Sequence, residues 1–129
     1  MCAMGENDVS KRVLVVDDDS DFVRILELYL KLSGLDVSCA FCGMGALEEM
    51  RITSPSAVIL DMAMPDIDGV GVCRYIREKM GDSKTAVIAL TASTGSKARR
   101  EMLQAGADEF FTKPCDFELI FKAVEQHTS

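Results

Sequence analysis

Five short apolar runs recur along the chain, and each is followed by a segment with the spacing of an amphipathic helix. The runs cover residues 13–16, 37–41, 57–60, 86–90 and 110–112. Strands that are apolar on both faces and alternate with helices are typical of a parallel sheet covered on each side. The pattern therefore predicts an α/β fold, a doubly wound (βα)5 parallel sheet. We expect one domain over residues 12–127, behind a flexible N-terminal tail of residues 1–11.

The helix predicted after the first run shows the signal most clearly. It is expected to begin at Asp19 or Ser20 as a cap and to end near Gly34. Its apolar residues lie at positions i, i+3, i+4, i+7 and i+8, namely Phe22, Ile25, Leu26, Tyr29 and Leu30. The later helices are predicted through Leu47 and Met50, through 72–80, over 96–105 and from near 116 through Val124.

Charge and composition exclude several classes of function. The net charge of −7 disfavours direct binding to nucleic acid, which requires clustered Lys and Arg. No apolar run is long enough to predict a membrane-spanning helix, and the N-terminus lacks the apolar core of a signal peptide. The five cysteines are an odd number, so reduced thiols and a cytoplasmic location are expected.

Polar side chains follow four of the predicted strands. Asp17 and Asp18 follow the first strand, Asp61 the third, Thr91 the fourth and Lys113 the fifth. Carboxyl ends of parallel strands lie on one edge of a sheet, where ligands bind. Two carboxylates about 5 Å apart repel by roughly 3 kcal/mol at an effective dielectric of 20, so the cluster needs a proton, Lys113 or a cation.

An oxygen-only site with open positions suits Mg²⁺, which keeps waters and binds phosphate oxygens. A carboxylate beside such an ion can attack phosphorus and form an acyl phosphate. Lys113 and the Thr91 hydroxyl are placed to hold the oxygens of the transferred group. The strand ends therefore predict phosphoryl transfer to an aspartate.

These residues resemble a known family, the receiver domains of two-component response regulators, and among them the stand-alone, chemotaxis-regulator-like members. The resemblance rests on VLVVDDD (13–19), VILDMAMPDIDG (58–69), the Thr-Ala pair at 91–92 and the Lys-Pro pair at 113–114. It implies a flavodoxin-like sheet with strand order 2-1-3-4-5. It also implies that the domain is a signalling switch and not an enzyme.

The resemblance further implies a role for each matching residue. Asp61 is the expected phosphoacceptor, and Thr91 and Lys113 engage the phosphoryl oxygens. Asp18, Asp61 and the backbone carbonyl of Ala63 are expected to ligate Mg²⁺, or Mn²⁺ in its place, with Asp17 acting nearby, often through water. Ala63 is small at a position where many family members carry a larger residue that governs dephosphorylation.

The resemblance also implies partners and a switching movement. The phosphoryl group is expected from a phosphohistidine on a sensor histidine kinase or a phosphotransfer protein. Drawing Thr91 toward the phosphorylated aspartate is expected to let Phe110 rotate inward, which alters a surface read by a downstream effector protein. The chain ends about where its last helix does, so no DNA-binding or enzymatic output module is expected.

Two other metal-dependent motifs match only in part. The segment 66–70, Asp-Ile-Asp-Gly-Val, has the pattern of haloacid-dehalogenase-type phosphatases, but Pro65 separates it from the preceding strand. Residues 17–21 begin like a calcium loop, yet Phe22 and Leu28 stand where that loop requires Gly and Glu. Neither alternative is favoured.

Two further interpretations remain beside the phosphoacceptor. Cys39 and Cys42 have metal or redox spacing, but zinc needs two more ligands and the only histidine is His127. Structural thiols are therefore favoured. Because His127 is the single histidine and lies near the end of the chain, catalysis by a Ser-His-Asp triad is also disfavoured. The other alternative is a receiver-like interaction module that binds partners without being phosphorylated.

Overall fold

The computed structural model describes residues 11–92 and 96–128, and in these ranges five parallel strands alternate with five helices. The strands are β1 (Arg12–Val16), β2 (Asp36–Ala40), β3 (Ala57–Asp61), β4 (Ala86–Thr91) and β5 (Glu109–Thr112). The helices are α1 (Ser20–Leu32), α2 (Gly43–Thr53), α3 (Gly69–Arg74, continued by a π-helical turn over Tyr75–Lys79), α4 (Ser96–Ala105) and α5 (Phe117–Thr128). The sheet order is β2-β1-β3-β4-β5, which confirms the predicted fold and strand order.

The sheet is buried on both faces, which explains why its strands are continuous apolar runs. In β3 every residue is buried, and alternate side chains point into two separate cores. Ile59 lies in the core beneath α1 and α5, whereas Leu60 lies in the core beneath α2, α3 and α4. Helices on each face are the doubly wound arrangement that the sequence predicts.

The helix termini follow the expected capping chemistry, with one difference in α3. Asp19 caps α1 by accepting the Phe22 N–H, and Gly34, just past the end of α1, has a φ of 98°. Met80 was predicted to belong to α3 but lies just beyond it. The π-helical turn closes there, because the Met80 N–H donates to the Tyr75 carbonyl five residues earlier.

Arg77, in the π-helical turn, joins α3 to the segments that lead into β4 and β5. Its guanidinium donates hydrogen bonds to the carbonyl oxygens of Asp82, Thr85 and Gly106, at 2.8 to 3.0 Å. It also donates to the Asp108 carboxylate at 3.0 Å. Arg77 thereby holds together the segments at the amino-terminal ends of the strands. Asp17, Asp61 and Thr91 lie at the opposite, carboxyl-terminal ends.

Most predicted boundaries agree with the structure to within one or two residues. The second strand ends at Ala40, and Phe41, which was predicted to close it, is exposed. The predicted tail, residues 1–11, lies outside the described residues except for Lys11.

Candidate functional site

Three carboxylates meet at the carboxyl edge of the sheet. One oxygen from each of Asp17, Asp18 and Asp61 lies within 4.8 Å of the other two. Asp17 is 2% exposed and Asp61 is 5% exposed, while Asp18 faces solvent. The carboxylates of Asp17 and Asp61 are therefore shielded from bulk water, whereas the Asp18 carboxylate is accessible to solvent.

Local backbone contacts set the direction of these side chains. After β1 the Asp17 N–H donates to the Ala40 carbonyl at 3.2 Å, and the Asp17 carboxylate accepts the Asp19 N–H at 3.0 Å. After β3 the chain turns back closely, since a Cβ on Gly69 would lie 2.6 Å from the Asp61 carbonyl oxygen. Glycine is therefore required at position 69 for the loop to return beside β3.

Lys113 provides the positive charge of the site. Its ammonium hydrogen-bonds to the Asp17 carboxylate and lies 3.6 Å from Asp61 Oδ1. The Lys113 N–H donates to the Thr91 carbonyl at 2.7 Å, which ties the end of β5 to the end of β4. The ammonium also lies 4.4 Å from the centroid of the Phe22 ring, a cation–π contact.

One ammonium does not neutralise three carboxylates, and the pKa values show the imbalance. Burial, followed by the negative charge of Asp17, raises the pKa of Asp61 from 3.8 to about 6, although Lys113 opposes the change. Burial by itself lowers the pKa of Lys113, but the hydrogen bond to Asp17 and the charge of Asp61 raise it overall. The lysine therefore stays charged, and a negative excess remains around Asp61.

This donor set suits a small, hard divalent cation. Three carboxylates with one exposed member give oxygen ligands and an open side for water, which Mg²⁺ prefers. Ala63 follows Asp61 in the loop after β3 and lines the same groove as Asp18 and Thr91. The residues predicted to bind metal are therefore close to one another.

The two predicted switch residues lie on neighbouring strands. Thr91 is the last residue of β4 and is 4% exposed, and Phe110 pairs with Ala89 in the register of β4 and β5. Phe110 is half-buried, with the Arg99 guanidinium carbon 5.9 Å from its ring centroid. Asp61 pairs with Leu90, the residue before Thr91, so Thr91 ends the strand next to that of Asp61, and Phe110 lies on the strand beyond it.

The alternative motifs have structural roles here. In the phosphatase-like segment, Asp66 and Asp68 lie in the loop after β3 rather than at a strand end. The Asp66 carboxylate accepts the N–H groups of Gly43 and Met44, and Asp68 caps α3 through the Gly71 N–H. Sequence reasoning missed the role of Asp66, because its partners lie 22 and 23 residues away and no local capping pattern indicates them.

The cysteine pair also has a structural explanation. Cys39 lies within β2, and the Cys42 sulfur caps α2 by accepting the Gly45 N–H at 3.3 Å. Cys73 and Cys115 are likewise free thiols, so the four cysteines within the described ranges form no disulfide. Burial raises the pKa of Cys39 to about 11, which keeps that thiol protonated and unreactive at neutral pH.

Comparison with known proteins agrees with this site. The family model of the response regulator receiver domain matches residues 13–125. The transcriptional regulatory protein PrrA of Mycobacterium leprae is 45% identical over 105 residues, which are 81% of this chain and 44% of that protein. This chain therefore spans less than half the length of that curated relative. Among the helices that the structure describes, none is long and apolar enough to cross a membrane.

Solved receiver domains share the whole architecture. The receiver domain of the Francisella response regulator 1452 superposes with a TM-score of 0.86 at 28% identity, covering 92% of this chain and 97% of that one. The BeF3-activated DrrB receiver domain gives a TM-score of 0.83 at 28% identity, with the same coverage of the two chains. The match over residues 13–125, the sheet order and the acidic cluster together lead to one conclusion: this chain belongs to the response regulator receiver domain family, whose members are signalling phosphoacceptors rather than classical enzymes.

Proposed function

We propose that Asp61 is the phosphoacceptor of a two-component phosphorelay and that Mg²⁺ assists its phosphorylation. The observation that carries this proposal is the meeting of three carboxylates and one ammonium around Asp61, at the end of a central strand. The Lys113 ammonium hydrogen-bonds to Asp17 and lies 3.6 Å from Asp61 Oδ1, so a positive charge stands beside the proposed acceptor. The proposed domain covers residues 12–127, close to the family match.

The reaction is a transfer of one phosphoryl group between two proteins. An Asp61 carboxylate oxygen attacks phosphorus, the bond between phosphorus and the imidazole nitrogen of the donor breaks, and an acyl phosphate forms. The released imidazole nitrogen keeps the electron pair of that bond and takes up one proton from solvent, so the donor histidine is neutral after the transfer. Because the pKa of Asp61 is near 6, the carboxylate is largely ionised and nucleophilic at pH 7.

The remaining residues neutralise and hold the transferred group. Asp18, Asp61 and the Ala63 carbonyl would hold Mg²⁺, with Asp17 nearby, and the bound cation would supply positive charge for the phosphoryl oxygens. The Lys113 ammonium, 3.6 Å from Asp61, is within reach of another of these oxygens. We expect the hydroxyl of Thr91, a buried residue, to donate a charge-assisted hydrogen bond once the group is attached.

Phosphorylation would alter a protein-binding surface formed by α4, β5 and the start of α5. Movement of Thr91 toward Asp61 would leave space that the Phe110 ring can enter, and a phenyl ring needs no polar partner when buried. A relative described as BeF3-activated supports a receiver fold with an activated state. We place the donor, a sensor histidine kinase or phosphotransfer protein, and the downstream effector protein in the cytoplasm with this chain, in keeping with its free thiols.

Incubation with acetyl phosphate and Mg²⁺ followed by intact mass measurement tests the proposal directly. We expect one added phosphoryl group that maps to Asp61, no addition in Asp61→Asn, and no addition in excess chelator. Asp82→Asn is a matched control, because Asp82 is a loop carboxylate at the opposite edge of the sheet. Phosphate on another residue contradicts the assignment of Asp61. An unmodified wild-type chain favours the alternative, an interaction module that is not phosphorylated.

A further inference from the structure

The loop between β3 and α3 is attached to a helix that has no residue in the acidic cluster. The Asp66 carboxylate accepts hydrogen bonds from the Gly43 N–H through Oδ1 at 2.8 Å and from the Met44 N–H through Oδ2 at 2.9 Å. Gly43 and Met44 are the first two residues of α2, whose N–H groups have no partner within the helix. One side chain from the loop therefore satisfies two backbone donors of α2.

The contact is also close in space. A Cβ added to Gly43 would lie 2.6 Å from the Ile67 carbonyl oxygen and 2.7 Å from Ile67 Cβ. The Gly69 N–H donates to the Met62 carbonyl at 2.8 Å and closes the base of the loop. The loop is thus held at its base by its own backbone and at its tip by α2.

We propose that Asp66 is a positioning residue for the divalent cation: by joining the tip of the loop to α2, it holds the segment that carries Ala63 beside Asp18 and Asp61. This inference rests on the proposed function, in which the Ala63 carbonyl of that loop is a Mg²⁺ ligand. Ala63 lies between the anchored base, Met62, and the anchored tip, Asp66. A change at Asp66 therefore acts on the cation through the backbone and not through contact with it.

A carboxylate suits this role better than other side chains. It has two oxygens for two donors, and the positive end of the helix dipole favours its negative charge. The hydrogen bonds from Met44 and Gly43 lower the pKa of Asp66 to about 2, so the side chain is ionised throughout the physiological range. Asparagine can offer only one oxygen and places an N–H₂ group toward the second donor.

The test measures Mg²⁺ affinity of the unphosphorylated full chain by calorimetric titration, so that phosphoryl transfer is not the readout. We expect Asp66→Ala to weaken Mg²⁺ binding by about 3- to 10-fold, which is less than the roughly 10- to 100-fold typical of groups that hydrogen-bond a metal ligand directly, because Asp66 acts through the loop backbone. Asp66→Asn should lie between Asp66→Ala and the wild type. Gly43→Ala, which changes no charge, should also weaken binding because its methyl group displaces Ile67.

Asp82→Ala is the matched control. Asp82 also accepts two backbone N–H groups with its carboxylate, but it lies between α3 and β4 at the far edge of the sheet. The Mg²⁺ affinity of Asp82→Ala should equal that of the wild type. Urea unfolding of every variant establishes that each one is folded.

Unchanged Mg²⁺ affinity in folded Asp66→Ala overturns the positioning role while leaving the phosphoacceptor intact. Weakening in both Asp66 variants to the same degree, with none in Gly43→Ala, means a charge effect and overturns it as well. A wild-type chain that binds no Mg²⁺ removes the proposed metal site itself, and the role of Asp66 with it.

Discussion

Replacing Asp61 by asparagine is expected to stabilise the metal-free protein at neutral pH. Burial and the charge of Asp17 raise the pKa of Asp61 from 3.8 to about 6. At about 1.4 kcal/mol per pH unit, ionising Asp61 costs the folded protein about 3 kcal/mol more than it costs the unfolded chain. Asparagine removes that cost but also removes a partner of Lys113, so we expect a net gain of about 1 to 3 kcal/mol.

The pH dependence gives this prediction a definite sign. Between about pH 4 and 6 the folded protein keeps a proton on Asp61 that the unfolded chain has released. The stabilisation of the wild-type protein by protonated Asp61 is complete below pH 4 and is lost as the pH rises through 6. The advantage of Asp61→Asn should therefore be large at pH 7 and small at pH 4.5.

Urea unfolding followed by circular dichroism, with EDTA present, measures the effect at both pH values. Asp82→Asn is the control of opposite sign. Burial of Asp82 favours its protonated form, but hydrogen bonds from Thr85 outweigh it and lower the pKa, so its loss should destabilise the protein. An Asp61→Asn variant no more stable than the wild type at pH 7, or equally advantaged at pH 4.5, would refute the electrostatic argument.

Two further substitutions test other parts of the fold. Thr91→Ala should still gain a phosphoryl group on Asp61, while NMR shifts of the Phe110 ring no longer respond to it. A charge-assisted hydrogen bond of about 1.5 to 3 kcal/mol shifts a two-state ratio roughly 10- to 150-fold, and a full Phe110 response in Thr91→Ala contradicts this coupling. Arg77→Met should cost about 2 to 4 kcal/mol in urea unfolding, because the carbonyls that Arg77 bonds lose their donor and the Asp108 carboxylate keeps only the Val87 N–H of its two donors. A loss below about 1 kcal/mol would show that water replaces that donor.

The positions of the site residues could be predicted from the sequence because each depends on a local pattern. Asp61 and Thr91 each come at the end of an apolar strand. In a parallel sheet that position alone puts the residue at the carboxyl ends of the strands, independently of contacts with distant segments. The parallel arrangement then follows from strands buried on both faces. The fold and the meeting of the carboxylates were therefore predictable, and the structure confirms both.

The pairing of side chains within the site was decided only by the tertiary structure. Lys113 bonds to Asp17 across 96 residues and stands farther from Asp61, a choice that no spacing in the sequence encodes. Asp66 likewise finds its partners on α2 because two helices on the same face of the sheet bring the loop there. The sequence by itself determined which residues reach the edge of the sheet, since strand and helix periods are local. Packing determined which of them touch, since contacts between distant segments depend on how the layers close around the core.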